Sequence, residues 1–382
     1  MRPELRRGGA GQVLGEEREW RAAVITDADR LRALRPGWDA LYGRCAAATP
    51  FQSHAWLTSW WQEYGGRHRL RVLVLRDQDR LLAAVPLMRS TRWGCRVLTP
   101  IGTGLSDYTD LLIDDERADT LVPAINRALL DLPGWDALDF PEVRPGAAAE
   151  ALEGCWPSHR WALGASRCLS LPAVPVEEQL AALGGRAAGK LRRNLRRVDD
   201  LGLSITTVSP DGVPAAMAGL LRLHALQWAG RPINKEHLRP RFQRHLVRSA
   251  AELIAGGQAV LTEFRVGDRL VAADLSFLGS DFSGGYLYGA DPWLRTQIDT
   301  FAMVVRHAVR QAHDRGLRTV SMLRGSEPHK ARWGAQPVAS RRLILGRTRR
   351  SAAYAAAVSA RITAGETLKR RFPALAELRS ER

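Results

Sequence analysis

Two apolar hairpins constrain this chain more than anything else in it. RLRVLVLRDQDRLLAAVPLMRS runs from Arg69 to Ser90, and QAVLTEFRVGDRLVAADLSFLG from Gln258 to Gly279. Each joins two apolar runs of strand length through a polar turn, at Arg76 to Arg80 and at Gly267-Asp268. The same order recurs around both: helices, hairpin, strand, helix, strand. No residue-level repeat accompanies it. A chain of 382 residues can bury more than one core. The expected class is therefore α/β, with two mixed sheets, each centred on its own hairpin. Pro-rich LPAVPV, Leu171 to Val176, marks the division. The expected organisation is a disordered leader at 1–20, one domain at 21–172, a second at 173–346 and a basic helical tail at 347–382.

Composition narrows the classes. No apolar run approaches the ~20 residues of a membrane helix, and the N-terminus has arginines without the apolar core of a signal peptide. The four cysteines (Cys45, Cys95, Cys155, Cys168) form no CxxC pair, so a reducing cytoplasm is the implied compartment. The net charge of +16 is uneven. RAAGKLRRNLRR, Arg186 to Arg197, carries six basic residues and no acid, and the stretch after Arg341 is also strongly basic. Such patches meet phosphates or anionic surfaces, or are simply solvated faces.

Several motifs fail on inspection. GGRAAGKL at Gly184 to Leu191 has P-loop glycine and lysine spacing, but Leu191 stands where a Mg²⁺-binding hydroxyl is required and a helical pattern precedes it. HExxH and GxSxG are absent, and His307 and His313 are off-register for joint ligation on one helix face. No metal is expected. More informative is YGADPWLRTQIDTFAMVVRHAVRQAHDRG, a Gly-rich strand leading into an amphipathic helix. A helix N-terminus offers unpaired N–H groups to an anion. Leu294, Arg295, Thr296, Gln297, Ile298, Asp299 and Thr300 would form that site, although Asp299 would repel an anionic ligand.

The run from Trp38 to Pro337 resembles the GNAT-type acyltransferases of the cellulose-biosynthesis (CelD-like) branch, a tandem GNAT fold related to the FemABX peptidyltransferases. Its carriers are ATPFQSHAWLTSWW, SDYTDLL, KLRRNLRR, LHALQW, GDRLVAADLSF and RGSEPHKARWGA. In the last, Gly325, Glu327, Lys330, Trp333 and Gly334 match the branch. Ser321 replaces its usual Asp, His329 its Tyr, and Thr300 the glycine of the pyrophosphate loop. The resemblance implies acetyl-CoA or another acyl-CoA as donor. It implies a sugar, amino-sugar or peptide acceptor, exopolysaccharide or cell-envelope biosynthesis, and a cytoplasmic protein peripheral to the inner membrane. FemABX kinship also admits aminoacyl-tRNA as donor, and a degenerate phosphate loop admits a non-catalytic binding protein.

Attack by an amine on a thioester needs aligned reactants, a proton acceptor and oxyanion stabilisation. His329, which titrates near neutrality, is the expected base, with Glu327 and Asp107 as alternatives. Tyr108, Asp110, Tyr288, Arg324 and Lys330 are the expected acceptor contacts. Glu327 and Lys330 could instead form a structural ion pair. Trp333 is expected to close the core beneath the strand end.

Overall fold

The computed structural model describes residues 20–230, 234–325 and 330–371, with the side chains of 369 and 370 excepted. The strands are β1 (Arg21–Ile25), β2 (Arg69–Asp77), β3 (Arg80–Arg92), β4 (Cys95–Pro100), β5 (Leu112–Ile113), β6 (Ala137–Val143) and β7 (Arg160–Pro172). They continue as β8 (Ser204–Thr207), β9 (Ala259–Val266), β10 (Arg269–Leu278), β11 (Phe282–Ala290), β12 (Thr319–Arg324) and β13 (Gln336–Gly346). The helices of the first half are α1 (Ala28–Ala33), α2 (Arg35–Tyr42), α3 (His54–Tyr64), α4 (Ala118–Asp131) and α5 (Ala148–Gly154). Those of the second are α6 (Val176–Ala181), α7 (Gly185–Asp200), α8 (Val213–Trp228), α9 (Pro240–Ala255), α10 (Pro292–Gln297), α11 (Thr300–Asp314) and α12 (Arg350–Arg371).

Local chemistry explains many of these boundaries. Ser53 caps α3 by accepting from the Trp56 N–H, and Trp56 and Trp60 lie buried four residues apart on its inner face. Both hairpins form with their turns at the expected positions. In α7, Ala188, Leu191, Leu195 and Val198 make a buried stripe, while Arg186, Lys190, Arg192, Arg193, Arg196 and Arg197 stay exposed. Each buried Leu or Val contributes roughly 1.5–3 kcal/mol, so the stripe, not the charge, holds this helix in place.

The expected pair of sheets is corrected. One mixed sheet runs β1-β2-β3-β4-β6-β13-β7-β12-β11-β10-β9-β8, with β5 alongside β3. The halves are stitched by exchange: β7 pairs with β12, and β13 returns to pair with β6. β7 and β13 also pair with each other, from Arg160 opposite Leu345 to Ser170 opposite Gln336. The two hairpins accordingly lie toward opposite edges of the sheet, and its centre is made of strands from both halves.

Helices cover both faces. On one, α3 packs on α9, with Ser59 donating to the His245 carbonyl at 3.0 Å, and a single apolar core extends from Trp38 and Phe51 to Met217 and Phe242. On the other, α4 and α5 cover the first half and α6, α7 and α11 the second, where Trp333 is buried. The first part of the basic tail is the helix α12, seated on Val97, Ala137 and Ile344 through Tyr354, Ala355 and Val358. Residues 1–19 of the expected leader and the last eleven residues lie outside the described residues, whereas Trp20 packs against the core beside α4.

Candidate active site

The polar loop after β4 is buried, not solvated. Ser106, Asp107, Tyr108, Thr109 and Asp110 are all enclosed. Three parts of the first half pin the loop. Trp56 Nε1 donates to Ser106 Oγ at 2.9 Å, Gln52 Nε2 to the Tyr108 carbonyl at 3.1 Å, and the Thr109 N–H to the Glu142 carbonyl at 2.7 Å. Buried backbone of this kind is tolerable only when so satisfied.

This loop meets the end of β12. Arg324 Nε donates to Asp107 Oδ1, and the Arg324 N–H reaches Asp107 Oδ2 at 3.4 Å. The Tyr108 hydroxyl bonds Ser321 Oγ at 3.1 Å. β12 is distorted where this happens. Its register against β7 shifts between Ser321 and Arg324, and Leu323 adopts φ 49°. A non-glycine residue there costs about 1–2 kcal/mol, and the distortion turns Arg324 toward Asp107. The charge of Asp107, and secondarily that of Glu142, holds the Arg324 guanidinium firmly protonated against the cost of its burial. Burial raises Tyr108 and pushes the Cys168 thiol up to about 11, so neither ionises near neutrality.

β11 and β12 run parallel but pair only over Phe282–Thr319, Ser283–Val320 and Gly284–Ser321. Beyond them β11 continues to Ala290 and β12 to Arg324 without a shared ladder. A bulge marks the parting. Leu275 faces Leu287 and Ser276 faces Gly285, which leaves Tyr286 without a counterpart on β10. Bulges re-aim side chains beside functional clefts. Here the Tyr286 ring stacks on Phe277, with centroids 4.7 Å apart, and its hydroxyl donates to the Leu105 carbonyl at 3.3 Å. The gap between the strands is thus bounded by the first half's loop.

Two histidines, for which the sequence offered no site signal, stand at the opened edge of β11. His224 Nδ1 bonds the Tyr288 carbonyl at 2.8 Å, and His237 Nδ1 lies 3.3 Å from His224 Nε2. His237 occupies the 3₁₀ turn Lys235–Leu238 and stacks on Phe242 at 4.5 Å. Burial, then the charges of His224 and Arg324, lower His237 to about 4.

The other expected site residues are placed as follows. Asp110 accepts from the Ala148 and Ala149 N–H groups at 3.0 and 2.8 Å, and its carboxyl, raised to about 6 by burial, anchors the start of α5. Lys330 is buried, and its Nζ donates to the Met322 and Arg324 carbonyls at 3.1 and 2.9 Å, securing the end of β12. Tyr288 presents its carbonyl to His224, as above. Of the presumed phosphate segment, Leu294, Ile298 and Thr300 are buried, while Arg295, Thr296 and Gln297 are exposed on α10. The Arg295 guanidinium reaches the Gln227 carbonyl at 3.4 Å. Asp299 caps α11, accepting from the Ala302 N–H at 3.1 Å and from Asn194 Nδ2 at 3.0 Å, with Arg332 3.7 Å away. Glu327 and His329 lie outside the described residues. Among the described residues no group of three or more His, Cys, Asp or Glu is arranged to hold a metal.

Residues 185–331, which contain the parted strands and α11, match the family described as "Acetyltransferase (GNAT) domain". The protein has the GNAT acetyltransferase fold. Its similarity to solved structures extends well beyond the matched stretch. FemX is 11% identical with a TM-score of 0.57, the match covering 85% of this chain and 97% of FemX. The C-terminal domain of a putative lysylphosphatidylglycerol synthetase from Agrobacterium fabrum is 12% identical with a TM-score of 0.51, covering 86% of this chain and 95% of that domain. L-PGS from Bacillus licheniformis is 10% identical with a TM-score of 0.51, covering 85% and 93%. No curated protein matches the chain. The parted strands β11 and β12 lie within the matched stretch, and the two exchanged strands join the halves of the chain into one sheet.

Proposed function

We propose that this GNAT-fold protein transfers an acyl group from acyl-CoA to an amine or hydroxyl of a sugar, amino sugar or peptide. The observation that carries this is the loss of pairing between β11 and β12 beyond Gly284 and Ser321. On this edge His224 and Gln227 take the Tyr288 carbonyl and the Ala290 N–H. The backbone between Gly284 and Tyr288, which β12 does not pair, can receive an extended acyl–pantetheine chain and direct an N–H group at a developing oxyanion. Asp107 and Arg324, joined across the halves, form the polar floor that orients an acceptor. Glu327 and His329 follow the end of β12 in sequence and remain part of the proposed machinery, as do Tyr108 and the Arg295 to Thr300 segment for the donor. Placement within the cellulose-biosynthesis branch, in exopolysaccharide or envelope assembly, rests on RGSEPHKARWGA. Among the described residues no helix is long and apolar enough to cross a membrane, and we place the protein in the cytoplasm, peripheral to the inner membrane. Calorimetry with acetyl-CoA, followed by thiol release with amine and hydroxyl acceptors, tests the proposal; no heat and no thiol would refute it.

One feature favours a second donor. The carboxylate of Asp299 caps the N-terminus of α11 and takes the Ala302 N–H that a pyrophosphate would otherwise use. A donor held elsewhere, such as an aminoacyl-tRNA on the exposed basic face of α7, avoids that repulsion. Its mark would be donor binding that weakens steeply with salt.

A further inference from the structure

The hydrogen bonds around His224 have only one consistent direction. The Tyr288 carbonyl can only accept, so His224 Nδ1 carries the proton. His224 Nε2 is then a lone pair, and His237 Nδ1 must donate to it. That leaves the lone pair of His237 on Nε2, for which the described residues provide no partner. The chain runs from the opened edge of β11, through two rings, to the Nε2 lone pair of His237.

The turn that carries His237 is held from outside. Its neighbour Glu236 accepts from the Tyr64 hydroxyl of α3 at 2.8 Å and from Arg241 Nε at 2.5 Å. The ring itself is clamped on Phe242. Such a preset tautomer and orientation is what a proton acceptor needs.

We propose that His237 Nε2 takes the proton of the attacking acceptor, and that His224 is a positioning residue which fixes the His237 tautomer. This deepens the acyltransfer proposal and rests on it. The acceptor amine attacks the acyl carbon; its nitrogen lone pair forms the N–C bond and the carbonyl π pair moves to oxygen. The nitrogen, now cationic, yields its proton to His237 Nε2. The oxyanion pair re-forms the carbonyl, the C–S bond breaks with its pair on sulfur, and the thiolate takes the proton from His237. The products are an amide and the free thiol, and the ring returns neutral. Three groups face this ring: His224 from α8 and Arg324 from β12, which both disfavour its cation, and Glu236 from its own turn, which favours it. With burial they keep it unprotonated at neutral pH, so it accepts only from the strongly acidic cationic nitrogen formed by attack and gives the proton up readily to the thiolate.

The test uses the full chain with acetyl-CoA and glucosamine as probe, read by thiol release, and long-range ¹H–¹⁵N spectra of the histidine rings. His237→Gln should lower kcat by about 10²–10⁴-fold with little change in KM. His224→Gln keeps a donor for the Tyr288 carbonyl and an acceptor for His237, so it should retain most of kcat. His224→Leu, which removes both, should lose kcat and shift His237 from the Nδ1–H to the Nε2–H tautomer. A His237→Gln enzyme within about threefold of the unmodified kcat overturns the assignment, especially if His329→Gln abolishes turnover. Equal behaviour of His224→Gln and His224→Leu overturns the positioning role. If the unmodified protein releases no thiol, the acyl-CoA proposal fails on its own. The ring spectra still decide the relay: both rings protonated at Nδ1 support it, and either at Nε2 overturns it.

Discussion

Gly289 is where the backbone of α8 touches the backbone of β11. A Cβ added there would lie 2.4 Å from the His224 nitrogen, 2.8 Å from the Leu220 carbonyl oxygen and 2.8 Å from the Leu223 carbonyl carbon. Normal non-bonded contacts are about 3.5–4.0 Å, so Gly289→Ala must drive the helix and strand apart by roughly 1 Å. No rotamer can relieve it, because every obstructing atom is main chain. Overpacking of this kind costs about 1–3 kcal/mol. The same retreat stretches the 2.8 Å bond between His224 and the Tyr288 carbonyl out of range, at about 0.5–1.5 kcal/mol more. Urea unfolding should show the loss as a lower midpoint at unchanged slope. Gly285→Ala is the control, since its Cβ would meet only Asp274 Oδ1 at 3.9 Å, and should stay within about 0.5 kcal/mol of the parent. An unshifted midpoint for Gly289→Ala, or an equal loss for Gly285→Ala, would refute the close-approach argument.

Buried Asp274 bonds Ser276, and burial raises it from 3.8 to about 6. Between those values the folded state holds a proton that the unfolded state has released, so stability falls as pH rises through that window. Asp274→Asn should remove this loss, gaining up to about 3 kcal/mol at pH 7.5 relative to pH 4 by urea unfolding; an equal effect at both would sink the idea. Asp299→Ala should cost about 1 kcal/mol as a lost cap, yet tighten acetyl-CoA binding if phosphates seat on α11; weaker binding by calorimetry would count against that seat. Reversing charge at Arg192, Arg193, Arg196 and Arg197 should leave the thermal midpoint unchanged, because those side chains are exposed. It should abolish transfer from an aminoacyl-tRNA donor while sparing thiol release from acetyl-CoA, and a collapse of thiol release would place this face in the acyl-CoA site.

What the site needed from the sequence was partly present. Asp107, Tyr108 and Arg324 were legible as polar residues beside strand ends, and the structure brings them together over a separation of more than 200 residues. The histidine pair was not legible. His224 sits in an apolar helix and His237 in a short turn, and nothing in their spacing says that the chain folds back to set one ring on the other. Lys330 was legible by type and place, not by its bonding. A charge beside a motif tryptophan suggests substrate contact, and the structure adds what the sequence does not show, that its ammonium donates to two carbonyls of the strand it follows.

Helices and hairpins were determined by the sequence itself, because periodicity, Ser53 as a cap and Gly267-Asp268 as a turn act within a few residues of one another. Which strands pair across the middle was a tertiary decision. β7 ends at Pro172, beside the expected boundary, and its alternating pattern would suit either half. Only the register of β7 with β12 and β13, whose partners lie from 147 positions apart (Pro172 and Thr319) to 185 positions apart (Arg160 and Leu345), makes one sheet of two halves. Ladder partners so distant are selected by the summed burial of both faces, which no local stretch encodes.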